Sequence, residues 1–259
     1  MLSKIAEKRV VVVGGSRGLG LAMVEALVAQ GASVHVVARR SPALSEVGRR
    51  LAVQVIEGDA SEASLAERVL SGVHPEVLIL NAGATPLMGG LRDLSWEGFS
   101  CAWNADVKLG FHWLQAALRL PLAPGSRVLL GSSGAAIQGA PYSGGYSGAK
   151  RMLWLMAQYA NLEAQALGLG IHFQAIVPLD LVSGTDVGHA GAAYYAQQKG
   201  ITLDAFWQSY AAPLSAQKVG EHVATILSDP AYGRGVAFGL KGGVGITSLD
   251  ALNSATRHE

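Results

Sequence analysis

The chain of 259 residues sets 20 lysines and arginines against 19 aspartates and glutamates, so its formal net charge of +1 gives no field that would recruit nucleic acid or an anionic membrane. Half of the residues are hydrophobic and 15% are charged, which suits a compact domain with strands buried on both faces and not a disordered chain. Cys101 is the only cysteine, which excludes an intrachain disulfide framework and makes a reducing compartment the default.

The first nine residues carry charges and lead straight into an apolar strand, without the apolar stretch and cleavage site of a signal peptide. No run reaches the length of a membrane span, so a cytoplasmic protein with no membrane or nucleic-acid partner is expected. Short apolar runs at 9–13, 33–38, 53–57, 76–80, 126–130 and 171–177 read as strands. Helical patterns separate them at 18–30, 61–71, 96–120 and 146–167, with a further helix near Gln217. The alternation predicts an α/β fold, a doubly wound parallel sheet with helices on both faces. No linker, charge block or repeat divides the chain, and residues 1–259 are expected to form one domain. One stretch breaks the alternation: 186–213 gathers Tyr194, Tyr195, Phe206, Trp207 and Tyr210 and predicts an inserted helical segment.

Val10 to Val13 run into Gly14-Gly15-Ser16-Arg17-Gly18-Leu19-Gly20, a glycine-rich turn between the first strand and a helix. Glycines let backbone approach a pyrophosphate, and the helix N-terminus offers unpaired N–H groups and a favourable dipole, so a dinucleotide is expected there. At the end of the second strand, where an acid would bind the 2′-hydroxyl of NAD, the sequence reads Ala38-Arg39-Arg40. Arg39, with Arg40 beside it and Arg17 from the glycine loop, suits a 2′-phosphate, which makes NADP(H) the expected cofactor. Asp59-Ala60 follow the third strand, where Asp59 can accept from an adenine amino group or cap the helix near Ser61. Asn81-Ala82-Gly83 follow the fourth, either as small residues beside a cofactor or as a plain turn.

Tyr146-Ser147-Gly148-Ala149-Lys150 opens a long helical pattern and sets Tyr146 and Lys150 on one face. A phenol with a pKa near 10 is a poor acid–base catalyst at neutral pH, and a neighbouring ammonium stabilises its phenolate. Ser133, at the end of the fifth strand and thirteen residues before Tyr146, adds a hydroxyl able to hold a carbonyl oxygen.

Taken together, the glycine loop, Asp59, Asn81-Ala82-Gly83, Asn104, Ser133, Tyr146, Lys150 and Pro178 stand in the order and approximate spacing of the short-chain dehydrogenase/reductases, and the chain resembles that family over nearly its whole length. The resemblance implies a Rossmann-like nucleotide fold and a small-molecule carbonyl or alcohol substrate. It casts Tyr146 as general acid in reduction, Ser133 as the group that orients the substrate oxygen, and Lys150 as a partner of Tyr146 and of the nicotinamide ribose. Asn104 becomes the fourth catalytic residue, serving a water-linked proton relay. Pro178 would border the nicotinamide, with Ser183 or Thr185 as alternatives for its carboxamide. A homotetramer or homodimer is implied as well.

Three positions depart from the family: Val13 in place of threonine, Leu80 in place of a second asparagine, and Leu179 in place of the glycine after Pro178. The aromatics of 186–213, with Met88, Trp96, Pro141 and Tyr142, point to a fairly bulky apolar or aromatic substrate. A nucleotide-binding regulator without turnover is the competing class, and intact Ser133, Tyr146 and Lys150 argue against it.

Overall fold

A computed structural model describes residues 5–120 and 122–254, so the first four residues of the charged N-terminal stretch lie outside them. The first half alternates strand and helix: β1 (Arg9–Val13), α1 (Gly18–Ala29), β2 (Ser33–Ala38), α2 (Pro42–Leu51), β3 (Gln54–Glu57), α3 (Ala63–Val73) and β4 (Val77–Leu80). Next come α4 (Trp96–Ala102), a π-helical turn (Trp103–Val107), α5 (Lys108–Arg119), β5 (Arg127–Gly131), the short α6 (Ala135–Gln138), α7 (Tyr146–Ala166) and β6 (His172–Pro178). Beyond β6 lie β7 (Val182–Ser183), α8 (Asp186–Lys199), α9 (Leu203–Gln208), β8 (Leu214–Ser215), α10 (Ala216–Ser228), β9 (Ala237–Lys241) and β10 (Gly245–Ser248).

Eight strands form one sheet in the order β10-β9-β6-β5-β4-β1-β2-β3, while β7 and β8 pair separately. The strands from β3 across to β9 run parallel, as the βαβ alternation requires. The edge departs from the all-parallel expectation: β10 pairs antiparallel with β9, because Gly243 and Gly245 take positive φ and turn the chain tightly back on itself. The sequence reading also passed over α2, whose start is set by Ser41 accepting from the Leu44 N–H and by Pro42 in the first turn.

A run of four valines in β1 serves two cores at once. Val11 and Val13 face the layer of α3, α5 and α7, whereas Val10 and Val12 face α1, α2 and α10. That is why the strand reads as continuously apolar instead of alternating. Helices α1 and α10 pack closely because Gly220 has no side chain; a Cβ there would lie 2.3 Å from the Ala22 carbonyl oxygen. No described helix is long and apolar enough to cross a membrane.

At the opposite end of the sheet from the glycine loop, Arg127 ties β5 to β6 and to the approach to β9. Its guanidinium donates to Gln174 Oε1 at 2.9 Å and to the carbonyls of Ile226 and Tyr232 at 2.7 and 3.2 Å. Gln174 in turn donates to the Tyr232 and Gly235 carbonyls. Burial pushes the Arg127 guanidinium down to about 10, and neutral acceptors hold it. Removing it orphans several buried acceptors, so Arg127→Ala is expected to lower the unfolding free energy by about 3 kcal/mol. Urea denaturation measures this, and a loss below about 0.5 kcal/mol would show that the carbonyls find other partners.

Candidate functional site

Strand order reverses between β1 and β4, which opens a crevice at their carboxyl ends. Both loops singled out in the sequence leave the sheet at this crevice and press on each other. The Val13 carbonyl accepts from the Asn81 and Ala82 N–H groups, and a Cβ on Gly14 would lie 2.5 Å from the Ala82 backbone. Gly20 is equally constrained, since its Cβ would meet the Gly14 carbonyl at 2.0 Å. The glycine loop is therefore folded tightly on itself and against Ala82, and it ends where α1 begins. No side chain caps the N–H groups of the first turn of α1, and no acid stands there, so a ready donor set for an anion faces the crevice.

Arg39 is exposed at the end of β2 and forms no ion pair with a described residue, while Arg40 stands 3.9 Å from Glu57. Arg17 does not point to the same place. It pairs with Asp186 at 2.9 Å, joining the glycine loop to the first turn of α8. Asp59 is exposed and closes a turn onto the Ser61 N–H, which holds its carboxyl below the usual range, whereas Glu62 stands at the N-cap of α3. The Ala60 carbonyl accepts from the buried indole of Trp113. Ser16, Gly18 and Leu19 line the same turn, Asn81 lies against Gly131, and Gly83 lies against Asp106.

Several contacts fix the position of Tyr146 and Lys150. The Gly145 N–H donates to Phe99, the Trp103 indole donates to the Gly145 carbonyl, and a Cβ on Gly145 would meet the Phe99 oxygen at 2.5 Å. Ser132 donates to the Lys150 carbonyl at 2.8 Å, which pins α7 to the end of β5. Lys150 is 8% exposed; its Nζ donates to the Gly131 carbonyl at 3.2 Å and lies 5.5 Å from the centre of the Tyr146 ring.

The partner of Lys150 is a residue that the sequence reading did not single out. Asp106 is 1% exposed, and its Oδ2 stands 3.0 Å from Lys150 Nζ while its Oδ1 accepts from the Ala84 N–H at 2.8 Å. The Oδ2–Nζ contact is thus a buried ion pair within hydrogen-bonding distance. Burial opposes the Lys150 ammonium, but Asp106 foremost and Tyr146 after it outweigh that and raise it above its usual value. A Cβ on Gly83 would lie 2.6 Å from Asp106, so that glycine makes room for the carboxylate.

Asn104 lies elsewhere. It is exposed on the π turn and donates to Ser100 Oγ, one turn back. The sequence carried a usable signal: Ala102, Asp106, Leu109 and Trp113 form the buried stripe of this helix, and Asp106 is the one charged member of it. A single helix was expected over 96–120; the π turn breaks it at the residues that meet α7.

Ser133 and Tyr146 line one cavity of about 360 Å³, walled further by Pro86, Met88, Pro178, Leu179, Tyr195 and Tyr210 among others. Tyr142 packs on Tyr194 and Tyr195 beside it, while Trp96 is 72% exposed and stacks on Phe99 outside it. Trp207 lines a separate recess with Ser183 and Thr185. The Thr185 hydroxyl is committed as the cap of α8, donating to Val182 and accepting from Gly188, whereas the Ser183 hydroxyl reaches only the Leu214 carbonyl at 3.5 Å.

Comparison with known proteins agrees with this geometry. Residues 8–190 match the family described as short chain dehydrogenase. An uncharacterized oxidoreductase of Staphylococcus epidermidis is 26% identical over 199 residues, covering 72% of this chain and 85% of that protein. Carbonyl reductase [NADPH] 2 of Sus scrofa is 30% identical over 128 residues, covering 48% of this chain and 52% of that protein. A short chain dehydrogenase of Burkholderia cenocepacia, solved in complex with NADP, superposes with a TM-score of 0.73 at 25% identity over 93% of this chain and 98% of that one. The sheet order, the glycine loop at its switch point and the Ser133–Tyr146–Lys150 arrangement place this chain in the short-chain dehydrogenase/reductase family, a family of oxidoreductases.

Proposed function

We propose that the protein is an NADPH-dependent reductase of a carbonyl compound, able to run in reverse as an alcohol dehydrogenase. One observation carries this reading: Ser133 and Tyr146 open onto a single cavity, with the charged Lys150 buried behind Tyr146 and the uncapped start of α1 in the same crevice system. The residues fit the dinucleotide. The first-turn N–H groups of α1 suit its pyrophosphate, Arg39 is free to hold a 2′-phosphate where no acid competes, and Asp59 keeps one oxygen available to the adenine amino group. Arg40 supports the positive potential at that end, and Arg17 acts with Asp186 as a strap across the crevice. Ser183, whose hydroxyl is the less committed of the two candidates, takes the carboxamide beside Pro178. The NADP held by the Burkholderia relative supports the same choice.

When bound, the nicotinamide supplies the hydride to the carbonyl carbon. The chain manages the oxygen. Ser133 Oγ donates to the carbonyl oxygen and orients it, and the Tyr146 hydroxyl gives up its proton to that oxygen as negative charge develops there. Lys150 holds a positive charge behind Tyr146, and its Nζ would hold the nicotinamide ribose when the cofactor is bound. Asp106 orients Lys150 from the opposite side, and it replaces Asn104 as the fourth member of the set. The apolar and aromatic wall favours a bulky apolar or aromatic carbonyl compound. Exposed Phe111, Tyr159 and Leu162 on α5 and α7 support assembly into a homodimer or homotetramer through those helices.

Tyr146→Phe is expected to keep the fold and NADPH binding while lowering kcat by about 100- to 10,000-fold, read by the decay of NADPH absorbance; a folded variant with wild-type turnover would remove Tyr146 from the mechanism. Arg39→Asp should raise the NADPH Michaelis constant by about 10- to 100-fold and narrow the preference over NADH, and an unchanged constant would place the 2′-phosphate elsewhere. The Asp106 assignment has a pH signature. In Asp106→Asn the burial that opposes the Lys150 ammonium remains while its main counterweight is gone, so Lys150 loses its proton at lower pH. The kcat/KM profile should then fall off on its alkaline side at lower pH than in the wild type, and superimposable profiles would reduce Asp106 to a packing role.

A further inference from the structure

The wall of the substrate cavity holds a carboxylate that the chemistry above does not use. Asp180 lines it, two residues after Pro178, and is the only ionised side chain among the described lining residues. Its Oδ2 accepts from the Gly242 N–H at 3.1 Å, which fixes the side chain against the turn between β9 and β10. No described residue hydrogen-bonds Oδ1, which is not sealed off in the interior. The aromatic rings of Tyr195, Phe206 and Tyr210 line the same cavity. Burial, followed by the Asp180 carboxylate, pushes the Tyr210 phenol up, so the two groups are close and this ring stays neutral at physiological pH. Lys199 lies over the Phe206 ring at 5.5 Å but is exposed and forms no part of the wall.

A carboxylate set among aromatic faces, with no ion pair to a described residue, is an environment that a positively charged group completes. The ring quadrupoles and the carboxylate act in the same direction, and partial exclusion of water strengthens both. An anionic substrate meets the opposite field. We propose that Asp180 makes this cavity selective for carbonyl compounds that also carry a protonated amine, with the ammonium seated between the free carboxylate oxygen and the Tyr195, Phe206 and Tyr210 rings while the carbonyl faces Ser133 and Tyr146. This rests on the reductase reading for the position of the carbonyl, but the charge selectivity is a property of the wall itself.

The test uses a pair of isosteric ketones, para-(dimethylaminomethyl)acetophenone, cationic at neutral pH, and para-isobutylacetophenone, which is neutral. Kd for each is measured by calorimetry on the full chain saturated with NADP, and kcat/KM with NADPH is measured in parallel. The wild type should bind the cationic ketone about 10-fold more tightly than its isostere, equivalent to about 1.4 kcal/mol. In Asp180→Asn, which keeps an acceptor for the Gly242 N–H, the ratio should collapse toward unity, with the NADPH Michaelis constant and the melting temperature held. Equal affinity of the wild type for the two ketones overturns the proposal without any variant. A preference that survives in Asp180→Asn overturns it too, and so does a variant that loses NADPH affinity or that loses affinity for both ketones by the same factor, since Asp180 would then serve the cofactor or the turn. Selective binding without turnover of either ketone would sustain the charge assignment and count against the reductase reading, so the two fail separately.

Discussion

The ion pair between Asp106 and Lys150 joins three parts of the protein that the sequence keeps apart: the π turn before α5, the helix α7 that carries Tyr146, and the loop after β4. Two charges taken out of water recover little over an apolar contact of the same shape, but removing either partner strands the other at a cost of about 3–5 kcal/mol. Such a pair is poorly explained as a source of stability. It is well explained as a device for orientation, because it draws the Lys150 ammonium to a defined place behind Tyr146. The price is a buried carboxylate, and the fold accommodates it by using Gly83 where any side chain would collide and by aiming the Ala84 N–H at the other oxygen.

A second constraint lies at the switch point. Gly14 and Gly20 face backbone atoms at distances no side chain tolerates, so the turn after β1, the start of α1 and the loop after β4 form one packed unit. The uncapped start of α1 and the Gly83–Asp106 contact consequently share a rigid support. The strap from Arg17 to Asp186 is different in kind. Both side chains are more than half exposed, and a pair of that sort is worth roughly 0–1 kcal/mol.

The strands were readable because parallel strands buried on both faces leave a run of apolar residues whatever the details of packing, as in Val10 to Val13. Tyr146, Lys150 and Ser133 were readable because their spacing ties them to a helix start and a strand end. Asn104 misled for a physical reason. The one-dimensional pattern marks a polar residue near the right place, but which side chain faces α7 depends on the path of the helix, and the π turn with its buried stripe favours Asp106. An acid on an apolar stripe was the signal, and it looks like noise until Lys150 is found opposite. Arg17 could not be separated from Arg39 in the same way, since its partner Asp186 is far along the chain. The reversed edge strand β10 and the pair β7–β8 depend on glycine turns and on two-residue strands too short to leave a period.

Leu179, standing where the family has glycine, shows how such a departure spreads. Its side chain needs space, and Gly239 provides it, since a Cβ there would lie 2.9 Å from the Leu179 side chain; Gly134 makes room for the backbone of the same residue, with a Cβ 2.9 Å from the Leu179 carbonyl oxygen. The Leu179 N–H donates to Leu240, and the neighbouring Asp180 accepts from Gly242, so this stretch of chain is fastened to the last parallel strand and to the turn after it. A loop that lines the cavity on one side is thus anchored on the other by β9 and its hairpin. Leu179 therefore stands in the cavity wall itself and beside the anchored Asp180. Gly239 belongs to the same structural solution as the leucine, and a larger residue there would press on the cavity wall through Leu179.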